Sequence, residues 1–240
     1  FVVALLLVHL VQRKRREVDE LAPFFGRLMG AEADAGPVGA GDGVGEGLAV
    51  FDDGSGPALY AGGSFTSAGG VPANGLAKWN GSTWSSVGGG VMTDSVSLST
   101  GSCLSAVGTV HSLLATFDSS GPALYVGGDF ISAGGIPADM VARWNGVSWT
   151  GSPSQTCVRN PLVPMRVDAL ASYDDGSGPG VYAGGIFGAI GGVAARSVAR
   201  FNGVSWEPLA EGVARISPAG AVWWGLISSM AVFDSGEGAE

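Results

Sequence analysis

The sequence predicts an all-β fold assembled from repeated four-stranded antiparallel units. Three observations carry this. The chain holds 42 Gly in 240 residues yet is 46% hydrophobic with seven Trp, a balance that suits many short strands joined by tight turns around a core and argues against disorder. One pattern recurs in residues 48–84, 114–149 and 170–206 and begins again at Met230, and self-similarity on this scale marks a repeat architecture. Each copy also places Asn-Gly between two short apolar segments, a strong local signal for a hairpin.

Residues 1–35 stand apart as a non-repeat segment with helical apolar spacing. Residues 1–11, FVVALLLVHLV, are followed by Arg13, Lys14, Arg15 and Arg16. This run is too short to span a membrane, and its basic residues follow it, whereas a signal peptide carries them first. Three readings stand: the tail of a transmembrane helix, a soluble or interfacial helix continued by VDELAPFFGRLMGA, or part of a different unit. Membrane association is expected only through residues 1–16.

Residues 36–240 hold the repeats, with cores at about 48–87, 114–149 and 170–209 and the start of another at 230. The first strand of a unit, LAVFD in the first copy, ends at an Asp, Gly and Ser cluster suited to a tight turn. The second, ALYAGG, ends in a glycine pair: Gly62 and Gly63, Gly127 and Gly128, Gly184 and Gly185. These pairs predict close backbone approach or positive φ. A glycine-rich excursion follows, with Phe65, Phe130 or Phe187 placed to plug a neighbour. The third strand is GLAKW, MVARW or SVARF, and the fourth begins STW or VSW.

Asn80-Gly81, Asn145-Gly146 and Asn202-Gly203 predict two-residue type I′ turns, with positive φ at both positions. That register sets residue 79 opposite 82 and 77 opposite 84. Trp79 and Trp84 then share a face as diagonal neighbours, as do Trp144 with Trp149 and Phe201 with Trp206. One sheet cannot bury such a pair alone, so each unit requires another against it. Variation gathers in residues 85–113, 150–169 and 207–229, which are expected to be loops on one face of the stack.

The residues Tyr60-Ala61-Gly62-Gly63, Phe65, Trp79-Asn80-Gly81 and Trp84, with their two later copies, resemble the kelch-type repeat. They are similar also to the repeats of bacterial secreted proteins and of cortical polarity-marker proteins. The resemblance covers roughly residues 45–240. It implies a β-propeller of four-stranded blades, here three complete blades and the start of a fourth, in an extracellular or cell-envelope protein. Propellers close with four to eight blades, so the protein is expected to continue beyond Glu240. The long glycine-rich segment before the third strand departs from the kelch pattern.

Net charge is −9, and no basic patch interleaved with aromatics occurs in the repeats, which excludes nucleic acid as the expected partner. Lys78, Arg143 and Arg200 occupy one equivalent position in the three units. They read as ion pairs to Asp52, Asp118 and Asp174, or as a basic row facing an anionic ligand. The acidic turns at Asp52-Asp53, Asp174-Asp175 and Asp234 lack the order of a calcium loop and read as turn chemistry. Cys103 and Cys157 lie in successive inserts, where a disulfide and two free thiols are both open readings.

Two His, His9 and His111, in non-equivalent places give no catalytic constellation. No metal and no cofactor is expected. The expected role is a non-enzymatic scaffold binding a protein or a glycan through segments between blades. The alternative is a propeller enzyme whose catalytic residues lie in further blades or in the inserts.

Overall fold

The computed structural model describes residues 45–96, 103–152, 165–216 and 222–232, all within the compact unit Val38–Glu240. The helical segment expected over residues 1–35 lies outside them. Among the described residues the protein is all-β, without a helix.

Unit 1 comprises β1 (Gly45–Asp52), β2 (Pro57–Gly63), the short pair β3 (Ser67–Ala68) and β4 (Val71–Pro72), then β5 (Leu76–Trp79) and β6 (Trp84–Ser86). Its main sheet is an antiparallel meander in the order β1-β2-β5-β6. A hairpin follows, β7 (Val91–Val96) and β8 (Cys103–Val107). Unit 2 repeats the plan with β9 (Thr109–Asp118), β10 (Gly121–Asp129), β11 (Ser132–Ala133), β12 (Ile136–Pro137), β13 (Val141–Trp144) and β14 (Trp149–Gly151). Unit 3 does so with β15 (Arg166–Asp174), β16 (Pro179–Ile186), β17 (Ala189–Ile190), β18 (Val193–Ala194), β19 (Val198–Phe201) and β20 (Trp206–Pro208). A last hairpin joins β21 (Ala214–Ile216) to β22 (Val222–Trp224).

The expected four strands per unit are all present. Two features differ from the sequence reading. The segment 85–113 is no plain loop: it contains β7 and β8, and β7 pairs with β11 of the next unit in a second four-stranded sheet, β12-β11-β7-β8. The segment 207–229 likewise contains β21 and β22. Each first strand also begins earlier than its repeat core and carries a bulge, where the register shifts by one residue at Glu46, His111 or Asp168.

The units pack face to face. One buried cluster joins Phe51, Tyr60, Leu76 and Val87 of unit 1 to Leu124, Val126, Phe130 and Trp144 of unit 2. A second joins Tyr125 and Val141 of unit 2 to Val181, Phe187, Ala199 and Trp206 of unit 3. Phe130 and Phe187 therefore plug a neighbouring unit as expected and are fully buried, whereas Phe65 packs within its own unit, with Ala73 and Ala77. This is why the unit repeats: a sheet with two apolar faces is covered only by its neighbours.

The glycine pairs act through close approach. A Cβ on Gly62 would lie 2.3 Å from Val110 Cγ1, and one on Gly127 2.8 Å from Val167 Cγ1. Neither glycine has positive φ. Each leaves room for the first strand of the following unit.

Candidate functional site

The register of each sheet sets a tyrosine opposite a cation: Tyr60 with Lys78, Tyr125 with Arg143, Tyr182 with Arg200. Cross-strand partners point to the same side, so both reach the turn between the first two strands. There an aspartate completes a three-residue cluster. In unit 1, Asp53 accepts hydrogen bonds from Lys78 Nζ at 2.5 Å and from the Tyr60 hydroxyl at 2.8 Å. In unit 2, Asp118 takes a forked pair from Arg143 (Nε 2.5 Å, Nη2 2.9 Å) and a bond from the Tyr125 hydroxyl at 2.8 Å. Such paired, charge-assisted bonds are the strong ones. In unit 3, Tyr182 donates to Asp175 at 2.9 Å, and Arg200 Nε stands 3.5 Å from the same carboxylate.

The predicted ion pairs thus exist, with one correction. The partners in units 1 and 3 are Asp53 and Asp175, in place of Asp52 and Asp174. The reason is the length of the turn. Asp52 Oδ1 accepts from the Gly54 and Gly56 amides, and Asp174 Oδ1 from those of Gly176 and Gly178. Those aspartates hold the turn, and the following one is free for the cation. The unit 2 turn is one residue shorter, so Asp118 does both tasks, taking also the Ser120 amide at 2.8 Å. The doubled Asp in two turns against the single Asp in the third was the available signal.

The surroundings fix the charge states. Burial alone would raise the Asp53 carboxyl, but bonds from Lys78, Ser55 and Tyr60 outweigh it and hold it far below the usual range. Asp118 is lowered in the same way by Arg143, the Ser120 amide and Tyr125 against the effect of burial. Asp175, at the open end, falls to about 2, chiefly through the Ser177 hydroxyl and amide. Burial and the adjacent carboxylates push Tyr60 and Tyr125 well above the ordinary phenol value. The clusters therefore hold neutral phenols, charged carboxylates and neutralised cations. The carboxyls of Asp53, Asp118 and Asp175 and the phenols of Tyr60 and Tyr125 are thus moved away from neutrality, where a general acid or base works best.

The Asn-Gly loops also differ from expectation. Trp79 lies directly opposite Trp84, Trp144 opposite Trp149 and Phe201 opposite Trp206, so each loop has four residues and the aromatic pairs are not diagonal. The rings sit at centroid separations of 5.3, 5.0 and 5.4 Å. Only the glycine has positive φ. Each Asn serves through its side chain: Asn80 Oδ1 accepts from the Ser82 and Thr83 amides, and Asn145 and Asn202 do the same. An Asx turn of this kind removes the need for a left-handed Asn.

The aromatic pairs seat on the preceding unit. Trp149 Nε1 donates to the Gly88 carbonyl at 3.1 Å, and Trp206 Nε1 to Ser152 Oγ at 3.2 Å. The glycine turn of each small hairpin closes over the last Trp: a Cβ on Gly69, Gly134 or Gly191 would collide with Trp84, Trp149 or Trp206. The unit 2 loop in turn lies on the unit 1 turn, since a Cβ on Gly146 would stand 2.5 Å from the Asp53 carbonyl.

No family model, no curated protein and no solved structure corresponds to the chain. Its chemistry is therefore read from its own geometry. Among the described residues, no group of three or more His, Cys, Asp or Glu side chains converges to hold a metal ion. Cys157 and the side chain of Cys103 lie outside the described residues. Lys78, Arg143 and Arg200, the candidate anion contacts, each face a carboxylate, which favours their structural reading. Of the candidate repeat residues, Gly62 and Gly63 end β2, while β10 and β16 run one residue past Gly127 and Gly128 and past Gly184 and Gly185.

Proposed function

We propose that the repeats form part of a β-propeller acting as a non-enzymatic binding scaffold in an extracellular or cell-envelope protein, with a protein or glycan as ligand. Contact between neighbouring first strands, β1 with β9 and β9 with β15, supports the radial arrangement. The observation that carries the binding role is where the recurring polar groups go. Every Tyr, Asp, Lys or Arg of the repeated clusters, and every Asn of the loops, bonds within the scaffold. Recognition is left to what differs between units. The differences gather in the segments that follow each sheet, which hold the hairpins β7-β8 after unit 1 and β21-β22 after unit 3. The opposite end of the sheets adds exposed Phe117 near the end of β9 and exposed Val147 and Val204 in the Asn-Gly loops, at 76, 84 and 90%.

The test is retention on a panel of immobilised polysaccharides and cell-envelope proteins. Shortening the segment between Asp94 and Ser105 is expected to reduce retention at least tenfold. Arg143→Gln is expected to lower stability and leave retention unchanged. Turnover of glycoside or oxidase substrates, lost on substitution of a residue in residues 85–113 or 150–169, would favour the enzyme instead.

A further inference from the structure

The outer face of unit 3 repeats a surface that is covered in units 1 and 2. Phe51, Tyr60, Leu76 and Val87 of unit 1 are buried beneath unit 2. Their counterparts by register are Tyr173, Tyr182, Val198 and Leu209, which line an open groove of about 500 Å³. Tyr173 is 48% exposed against 5% for Phe51. The cluster at this end is open too: the Asp175 side chain is 37% exposed, against 13% for Asp53 and 14% for Asp118.

One strand of a covering unit is already in place. Val110 and Leu113 of β9 fill the space beside Gly62, and Val167 and Leu170 of β15 that beside Gly127. Beside Gly184 the same two positions are taken by Ile227, at 2.6 Å from a built Cβ, and Met230, at 3.3 Å. The Gly225 amide bonds the Val213 carbonyl as the Gly108 amide bonds that of Val91. Residues 227–232 thus occupy the place of a first strand, yet pair with no second strand among the described residues. The hairpin β21-β22 matches β7-β8, onto whose edge β11 of unit 2 adds. Among the described residues nothing adds to β21.

We infer that the groove on unit 3 is the seat of the second to fourth strands of a further unit of this same chain, continuing from Ile227–Val232. The inference rests on the stacking seen twice within the chain and is independent of the binding role. The occupant has to supply what unit 2 lays on unit 1: a small-residue strand, a plugging Phe and an aromatic pair over the Tyr182 cluster. One position is specific to this end. Ala210 stands where Gly88 lies beneath Trp149; a Cβ on Gly88 would be 2.3 Å from the indole nitrogen.

Two measurements test this. In the 240-residue chain, sedimentation is expected to show a monomer, and the amides of residues 227–232 are expected to exchange at least tenfold faster than those of residues 110–115. A dimer with residues 227–232 protected would make a second copy the occupant and overturn the inference. In the second measurement, residues 1–232 carrying Ala210→Gly are followed by a copy of residues 116–152. This chain is expected to protect residues 227–232 at least tenfold and to raise the thermal midpoint by about 4 °C or more. Changing both Trp of the added copy to Ala is expected to abolish the gain. A folded extended chain without added protection overturns the inference; if that chain does not fold, the first measurement decides alone.

Discussion

At the scale of single residues, the Tyr–Asp–cation clusters set how stability responds to substitution and to pH. Arg143→Ala strips the largely buried Asp118 carboxylate of its forked donor, and leaving such a charged group under-satisfied costs about 2–3 kcal/mol. Arg143→Lys is expected to cost less than half of that, because Lys78 meets Asp53 in the same way in unit 1. Urea unfolding of both variants measures the difference. The folded state holds Asp53 and Asp118 below the ordinary aspartate value, so the unfolded chain binds their protons first as pH falls. Stability is therefore full above about pH 5 and is lost as pH drops through about 4 toward the depressed native values. Tyr60 and Tyr125 are raised, so their contribution is full below about pH 9 and is lost as pH rises past about 10. Urea midpoints are expected to form a plateau between these limits, and Tyr125→Phe is expected to weaken the alkaline fall.

At the scale of the element, the first strands of neighbouring units are tied to each other. β15 is the edge strand of its sheet, and its Leu170 amide donates to Ser112 Oγ of β9 in the preceding unit at 3.1 Å. Gly47 occupies the matching place in unit 1, and a Cβ there would lie 3.2 Å from the Leu113 amide. Gly47→Ser is therefore expected to add a bond of about 1 kcal/mol, and Ser112→Gly to lose one of similar size; thermal unfolding reads both. The strands themselves were legible in the sequence, because apolar runs bounded by Asp, Gly and Asn have few other uses. The shared face of Trp79 and Trp84 was legible as well. Their direct opposition was not, since a two-residue and a four-residue loop both fit Asn-Gly and only the Asn80 side-chain bonds decide between them. The same holds for Asp53 against Asp52, where one residue of turn length moves the partner. The hairpin β7-β8 was hidden because it gains its pairing from the next unit, at residues some 40 positions further on.

At the scale of the whole molecule, the described sheets form a one-dimensional stack in which each unit is held by its neighbours, so stability divides at the junctions. Unit 2 is covered on both faces, by the clusters with unit 1 and with unit 3. Gly127 is the narrowest point of the second junction, and a valine there would drive its Cβ into Val167 and its branches against Leu170. Overpacking of this kind costs about 1–3 kcal/mol. Because Gly127 lies at the face between units 2 and 3, the loss falls on their mutual contact and not on the seat of unit 2 against unit 1. Gly127→Val is therefore expected to raise amide exchange in β16 and β19 by about 5- to 30-fold, the factor that 1–2 kcal/mol represents, while β2 and β5 change little. Gly62→Val, at the first junction, is expected to give the reverse pattern, with β2 and β5 exposed and β16 and β19 held. Equal loss of protection in all three units for either variant would mean that the stack unfolds as one cooperative block, with no separable junctions.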